Sequence, residues 1–249
     1  MKERKVIVIG GITGGIGSAL ARRLSAAGHE LCGFARSQEQ IAAINDALGL
    51  QCPTADASQI GSIGEAFRTI QEQHGPIDAY VHAIGSIFLK PAHLTSPDDW
   101  LRTLETNLSS AFYALRHCTQ IMQKQGSGTC LFFSTAAAQV GLSNHEAIAA
   151  AKGGIEAMVR SAAATYAGKG IRINAIAPSL TDTPLAKPII SSEPALEFSK
   201  RMHPLGQIGQ ANDIAGLAEW LISDEARFVT GQTFVIDGGL SSIVPKPKA

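Results

Sequence analysis

The chain has 249 residues, with 21 Lys and Arg against 21 Asp and Glu and a pI near 7.1. That length accommodates one large α/β domain or two small ones, while zero formal net charge excludes the clustered basic excess by which a nucleic-acid binder displaces counterions. Hydrophobic residues at 45%, charged at 17% and aromatic at 6% describe a globular chain without stacking platforms for single strands.

The amino terminus, MKERKVIVIGG, is basic, but its apolar run is too short for a signal peptide. No stretch approaches the roughly 20 apolar residues of a membrane span, and no polybasic patch marks an anionic membrane surface. In chain order, a strand is expected at Val6–Ile9 and a helix near Gly15–Ala27, then a strand at Glu30–Phe34 and a helix near Ser37–Leu48. Next come a strand at Gln51–Ala55, a helix near Ser58–His74, a strand at Ala79–His82 and a long helix near Asp98–Gln125. The remainder reads as a strand at Cys130–Ser134, a helix at His145–Gly168, a strand at Arg172–Ala177, a helix at Ala211–Ser223 and a strand at Thr233–Ile236.

This alternation predicts an α/β fold: a single Rossmann-type domain over 1–249, with a doubly wound parallel sheet of about seven strands and helices on both faces. Leu180–His203 breaks the rhythm with three prolines and follows a strand directly, which is where a substrate lid sits in this class. The tail VPKPKA is expected to fray or to meet another subunit. Four widely spaced cysteines form no Cys-x-x-Cys pair, and two fall in strand-like runs as buried free thiols. The expectation is a soluble, reduced, cytoplasmic protein with no metal site.

After the first strand the chain reads Gly10-Gly11-Ile12-Thr13-Gly14-Gly15-Ile16-Gly17 and then enters a helix. Glycines there allow a tight turn and close approach to a pyrophosphate seated on a helix N-terminus. The spacing Gly11-x-x-x-Gly15-x-Gly17 resembles that of the short-chain dehydrogenase/reductase family, and the resemblance runs along essentially the whole chain. It implies a dinucleotide site formed by Gly11, Thr13, Gly15, Ile16 and Gly17, with Asp56 and Ala57 near the adenine. Ala83 and Gly85, in HAIG, match the family's Asn-Asn-Ala-Gly stretch, with His82 in place of the first Asn. Asn107 matches the helix asparagine and Lys152 the active-site lysine, which holds the nicotinamide ribose. Asn174, Pro178, Leu180 and Thr183 match the nicotinamide-side loop, with Ser179 where glycine is usual.

The second strand ends in GFARS, with Ala35 in the place of the acid that holds ribose hydroxyls in NAD enzymes and Arg36 next to it. A guanidinium pairs with a 2′-phosphate that a carboxylate repels, so the cofactor is predicted to be NADP(H).

The family's acid/base tyrosine lies four residues before the lysine, and that position here is Ile148. Tyr166 lies on the far side of Lys152 by about four helical turns, roughly 20 Å along the axis. Ser134 and Thr135 end the strand where the family places its catalytic serine, and counting thirteen residues back from Ile148 reaches Thr135. The stretch SNHEAIAAAKGGIEAMVR resembles enoyl-acyl-carrier-protein reductases, whose tyrosine stands seven positions before the lysine, the place of His145. An imidazole titrating near 6.5 is able to supply a proton at neutral pH, so His145 is the expected acid.

The resulting expectation is an NADP(H)-dependent oxidoreductase transferring hydride to a carbonyl or a conjugated enoyl group of a small molecule. The alternative is a catalytically impaired NADP(H)-binding sensor or scaffold. The family commonly pairs the helices at 98–125 and 147–168 across an interface, which implies a homotetramer or homodimer.

Overall fold

The computed structural model describes residues 4–244. The expectation for the tail therefore falls, from residue 245 onward, outside the described residues. Six parallel strands form one sheet in the order β2-β1-β3-β4-β5-β8, where β1 is Val6–Gly10, β2 Glu30–Phe34, β3 Ala79–His82, β4 Gly128–Phe133, β5 Ile171–Pro178 and β8 Thr233–Ile236. A small second pairing joins β6 (Thr181–Asp182) to β7 (Gly209–Gln210).

Alternation along the strands builds two cores, because successive side chains point to opposite faces. On one face Val8, Tyr80, Cys130, Phe132, Ile173 and Ala175 pack under α3 (Ile60–His74), α5 (Ser110–Gln125) and α6 (Glu146–Tyr166). On the other, Ile7, Ile9, Val81, Leu131, Phe133 and Ile176 pack under α1 (Gly15–Ala26) and α8 (Ala211–Ile222). Each large apolar side chain buried this way stabilises the fold by about 1.5–3 kcal/mol relative to exposure. The four cysteines are free and buried.

Three departures from the sequence expectation have local causes. Gln51–Ala55 is not a seventh strand: only Thr54 bridges Ala35, and Pro53 lacks the N–H that a ladder needs. The helix expected over Asp98–Gln125 divides into α4 (Pro97–Leu104), a π turn at Glu105–Ser109, and α5. Within that turn the Asn107 side-chain amide donates to the Thr103 carbonyl at 3.0 Å, competing with the backbone donor of a regular helix. Finally, 180–203 contains a helix, α7 (Glu193–Met202), capped by Ser192 and with Pro194 in its first turn, where a missing N–H costs nothing.

Candidate active site

The carboxyl ends of the parallel strands open into a cavity of about 500 Å³. Its floor is polar, formed by Ser86, Thr135 and Ser179 after β3, β4 and β5 and by Lys152 of α6 (Glu146–Tyr166). Its walls are apolar: Ile87 and Leu89 after β3, Leu142 before α6 and Ile148 on it, and Leu185, Ile189, Phe198 and Met202 from segment 180–203. Ala195, Phe198, Ser199 and Met202 recur at helical spacing, so one face of α7 lines the cavity.

At one end lies the glycine turn. Gly11 has φ +78°, which a side chain rarely adopts, and the Gly14 amide closes the turn onto the Gly11 carbonyl at 2.9 Å. The N-cap of α1, Gly14, makes no side-chain cap, and the first turn carries no acid. Those first-turn amides and the helix dipole are suited to a phosphate group, so the turn fits the pyrophosphate of a dinucleotide. Arg36 is exposed just beyond β2, beside the N-terminus of α2 (Gln38–Leu48). Asp56 accepts from the Ser58 amide and hydroxyl at 3.0 and 2.8 Å, fixing the turn that carries buried Ala57.

Under the floor, Lys152 is buried on α6 and its ammonium donates to the Phe133 carbonyl at 2.9 Å. Burial lowers its pKa to about 8. Asn107, wholly buried in the π turn, accepts from the Ser86 amide at 3.0 Å and donates to the Ser86 hydroxyl at 2.9 Å. A Cβ at Gly85 would lie 3.0 Å from Asn107 Oδ1 and 3.2 Å from Lys152 Nζ, so glycine is what lets these elements converge.

The Ser134 hydroxyl is buried and donates to Glu156 Oε1 at 2.6 Å. Gln139 holds the other oxygen of Glu156 at 2.5 Å. Half-buried Thr135 accepts from the Ala137 amide at 3.3 Å, which uses a lone pair and not its proton. Of the two hydroxyls, that of Ser134 has its proton engaged by Glu156, while that of Thr135 has its proton free.

His82 replaces an asparagine with a complete network of its own. Ser110 Oγ donates to the Thr106 carbonyl at 2.6 Å and so accepts from His82 Nε2 at 3.1 Å. Nδ1 then accepts from the Tyr80 hydroxyl at 2.7 Å. Burial, with the charge of Lys152 adding to it, lowers the His82 pKa to about 3, so the ring is neutral.

Two other imidazoles line the cavity. His145 precedes α6, following Asn144 in a left-handed conformation, and its Nδ1 meets the Ser143 carbonyl at 2.7 Å. His203 follows α7 and is buried, with Nδ1 on the Ser199 carbonyl at 2.7 Å and Nε2 on the Ser179 hydroxyl at 2.9 Å.

Comparison with known proteins agrees with this architecture. A family model described as enoyl-(acyl carrier protein) reductase matches residues 11–241. The 3beta-hydroxysteroid dehydrogenase 1 of Eggerthella lenta is 30% identical over 244 residues, covering 95% of this chain and 94% of that protein. The 3-oxoacyl-acyl-carrier-protein reductase FabG of Escherichia coli is 30% identical over 243 residues, covering 96% and 98%. The chain belongs to the short-chain dehydrogenase/reductase family. Levodione reductase shares the fold with a TM-score of 0.92 at 29% identity, covering 96% of this chain and 98% of its own.

In this short-chain dehydrogenase/reductase, Ile16, Ala83, Gly85, Ser134, Thr135, His145, Lys152, Pro178, Leu180 and Thr183 all line the one cavity. Gly11, Thr13, Gly15 and Gly17 form the turn at its end, Arg36, Asp56 and Ala57 stand off at the sheet's edge, and Asn107 lies behind Ser86. Sequence reasoning missed Glu156 and His203. A signal for Glu156 exists, since it follows Lys152 by one turn on a face otherwise made of Ile148, Ala151, Ile155 and Val159. For His203 there is none, because its partner Ser179 lies 24 residues away across a proline-rich segment.

Proposed function

We propose that this protein is an NADP(H)-dependent oxidoreductase that reduces a carbonyl or conjugated enoyl group on a largely apolar substrate. The observation carrying this reading is that one cavity joins Ile16, in the first turn of α1 after the glycine turn, with the buried lysine and an apolar wall. The bound cofactor supplies hydride. Arg36 pairs with its 2′-phosphate, the α1 amides with its pyrophosphate, and Lys152 with its ribose hydroxyls. Thr135 orients the substrate oxygen. The apolar wall built by Leu142, Leu185, Ile189, Phe198 and Met202 holds the substrate's body and excludes water, and segment 180–203 acts as the lid.

The family's tyrosine position holds Ile148, a buried lining side chain with no proton to give, so the proton comes from another group on the cavity wall. An imidazole suits that task at neutral pH, and His145 and His203 are the two that line the cavity. A homodimer or homotetramer through α4, α5 and α6 is supported by Leu101 and Phe112, exposed at 53% and 52% on these helices. No helix among the described residues is long and apolar enough to cross a membrane.

The test is cofactor consumption with NADPH and NADH over a panel of apolar ketones, enones and enoyl thioesters. NADPH-dependent turnover is the expected result. NADPH binding without turnover of any of them would make the protein a nucleotide-binding sensor instead.

A further inference from the structure

Ser179 and His203 form a hydroxyl–imidazole pair on the cavity floor. Ser179 follows directly on β5, and its amide donates to the Ile236 carbonyl at 3.2 Å. His203 stands at the end of the α7 segment, and the amide of Leu205 anchors the following loop on the Gly238 carbonyl at 3.2 Å. Both partners are thus held by separate backbone ties, and 2.9 Å between Oγ and Nε2 is a formed hydrogen bond. The Ser199 carbonyl accepts only, so Nδ1 carries a proton in every charge state of the ring. In the neutral ring Nε2 therefore accepts from Ser179. In the imidazolium Nε2–H donates to Ser179 Oγ, and the serine proton is turned outward into the cavity.

We propose that the Ser179 hydroxyl delivers the proton to the substrate oxygen and that His203, behind it, is the positioning residue that resupplies it; this rests on the reductase reading. Hydride arriving at the substrate carbon moves the π pair of the carbonyl, or of the conjugated enone, onto oxygen. An O–H bond forms there as the Ser179 Oγ–H bond breaks. Oγ takes the Nε2 proton of the imidazolium, leaving a neutral ring still held on the Ser199 carbonyl, and solvent restores the proton afterwards. With an enoyl substrate the resulting enol passes its proton to carbon on tautomerising.

Asp237, in the turn after β8, faces His203 as an anion. Its carboxylate is held by the Gly239 and Ser241 amides and the Ser241 hydroxyl at 2.9, 2.7 and 2.6 Å. Burial opposes its ionisation, but these donors and the charge of His203 outweigh that and keep its pKa below the usual carboxylate value. On α7 itself, half-buried Lys200 is paired with Glu197, and Lys152 is the cation that lines the cavity. The arrangement separates this pair from His145, which is half-exposed and touches only a backbone carbonyl through Nδ1.

The test compares wild type with Ser179→Ala, Ser179→Thr and His203→Asn, using the best substrate of the panel across about pH 5.5–9.5. Ser179→Ala is expected to lower kcat about 100-fold with little change in KM, and Ser179→Thr, which keeps the hydroxyl, to recover most of it. His203→Asn is expected to lower kcat and to alter the shape of its pH profile, while keeping a side chain that is able to hold α7 in place. Independently of turnover, 15N NMR of the neutral His203 ring is expected to show the proton on Nδ1. A rise in KM alone in Ser179→Ala would mean that the pair merely fastens α7 to β5 and would overturn the relay. So would a kcat within about threefold of wild type, since general acids contribute far more, or a proton on Nε2. Wild type consuming no NADPH with any substrate would overturn the reductase reading as well, which keeps the two failures apart.

Discussion

Replacing Lys152 by methionine isolates the cost of holding an ammonium under the cavity floor. The side chain is 7% exposed, and burial lowers its pKa from 10.5 to about 8. That difference corresponds to about 3 kcal/mol disfavouring the charged form in the folded protein. Between pH 8 and 10.5 the unfolded chain binds a proton that the folded chain does not, so wild-type stability rises with pH across that window. Below pH 8 the whole penalty is present.

Methionine removes the charge at similar length but leaves the Phe133 carbonyl without its donor, a loss of about 1–2 kcal/mol. Lys152→Met is therefore expected to be about 1–2 kcal/mol more stable than wild type near pH 7, a Tm rise of about 2–8 °C for a chain this long. The advantage shrinks above pH 8 and reverses by about pH 10.5. Urea unfolding followed by circular dichroism at several pH values measures the difference, in which all shared titrations cancel. A difference constant in sign and size from neutral to alkaline pH would refute the buried-ammonium argument. NADPH affinity, read by fluorescence titration in the same variant, is expected to fall.

Arg36→Ala is expected to weaken NADPH about 10–100-fold while leaving NADH nearly unchanged, as loss of a charge-assisted phosphate pair requires; equal losses for both cofactors would refute the phosphate contact. Titration of His82 runs from 6.5 in the unfolded chain to about 3 in the folded one, so wild-type stability is lost as pH falls through that interval. His82→Gln is expected to lack that component, which urea midpoints near neutral and acid pH will reveal. Ile148→Tyr, one helical turn before Lys152 and on the cavity wall, is expected to raise kcat for ketones about tenfold or more by adding a phenol donor. Steady-state kinetics with the same substrate decide that point, and an unchanged rate would show that the native donor already suffices.

The alternation of short apolar runs with helical patterns was enough to locate all six sheet strands, because a strand buried on both faces leaves an unbroken apolar run. It overcounted at Gln51–Ala55, where an apolar run with a proline makes one bridge only. Segment 180–203 was legible as an irregular connection but not as the carrier of α7, since Pro194 reads as a breaker unless its place in the first turn is known. At the site, Lys152 and the glycine turn were visible because each sits in a motif with fixed spacing. The engagement of the Ser134 hydroxyl was not, because it depends on Glu156 reaching across from α6. Ser179 and His203 meet only through the tertiary fold, so no local pattern announces them.

The chain of hydrogen bonds from Tyr80 through His82 to Ser110 and the Thr106 carbonyl also constrains how this sequence is able to change. Tyr80, His82 and Ser110 are each fully buried, and each has its polar atoms answered by the next. Changing any one alone strands its neighbour in a medium that offers no water. The three positions are therefore coupled in inheritance: a route back to the family's asparagine at position 82 passes through compensating changes at 80 and 110. Double-mutant cycles among the three will give large non-additive energies.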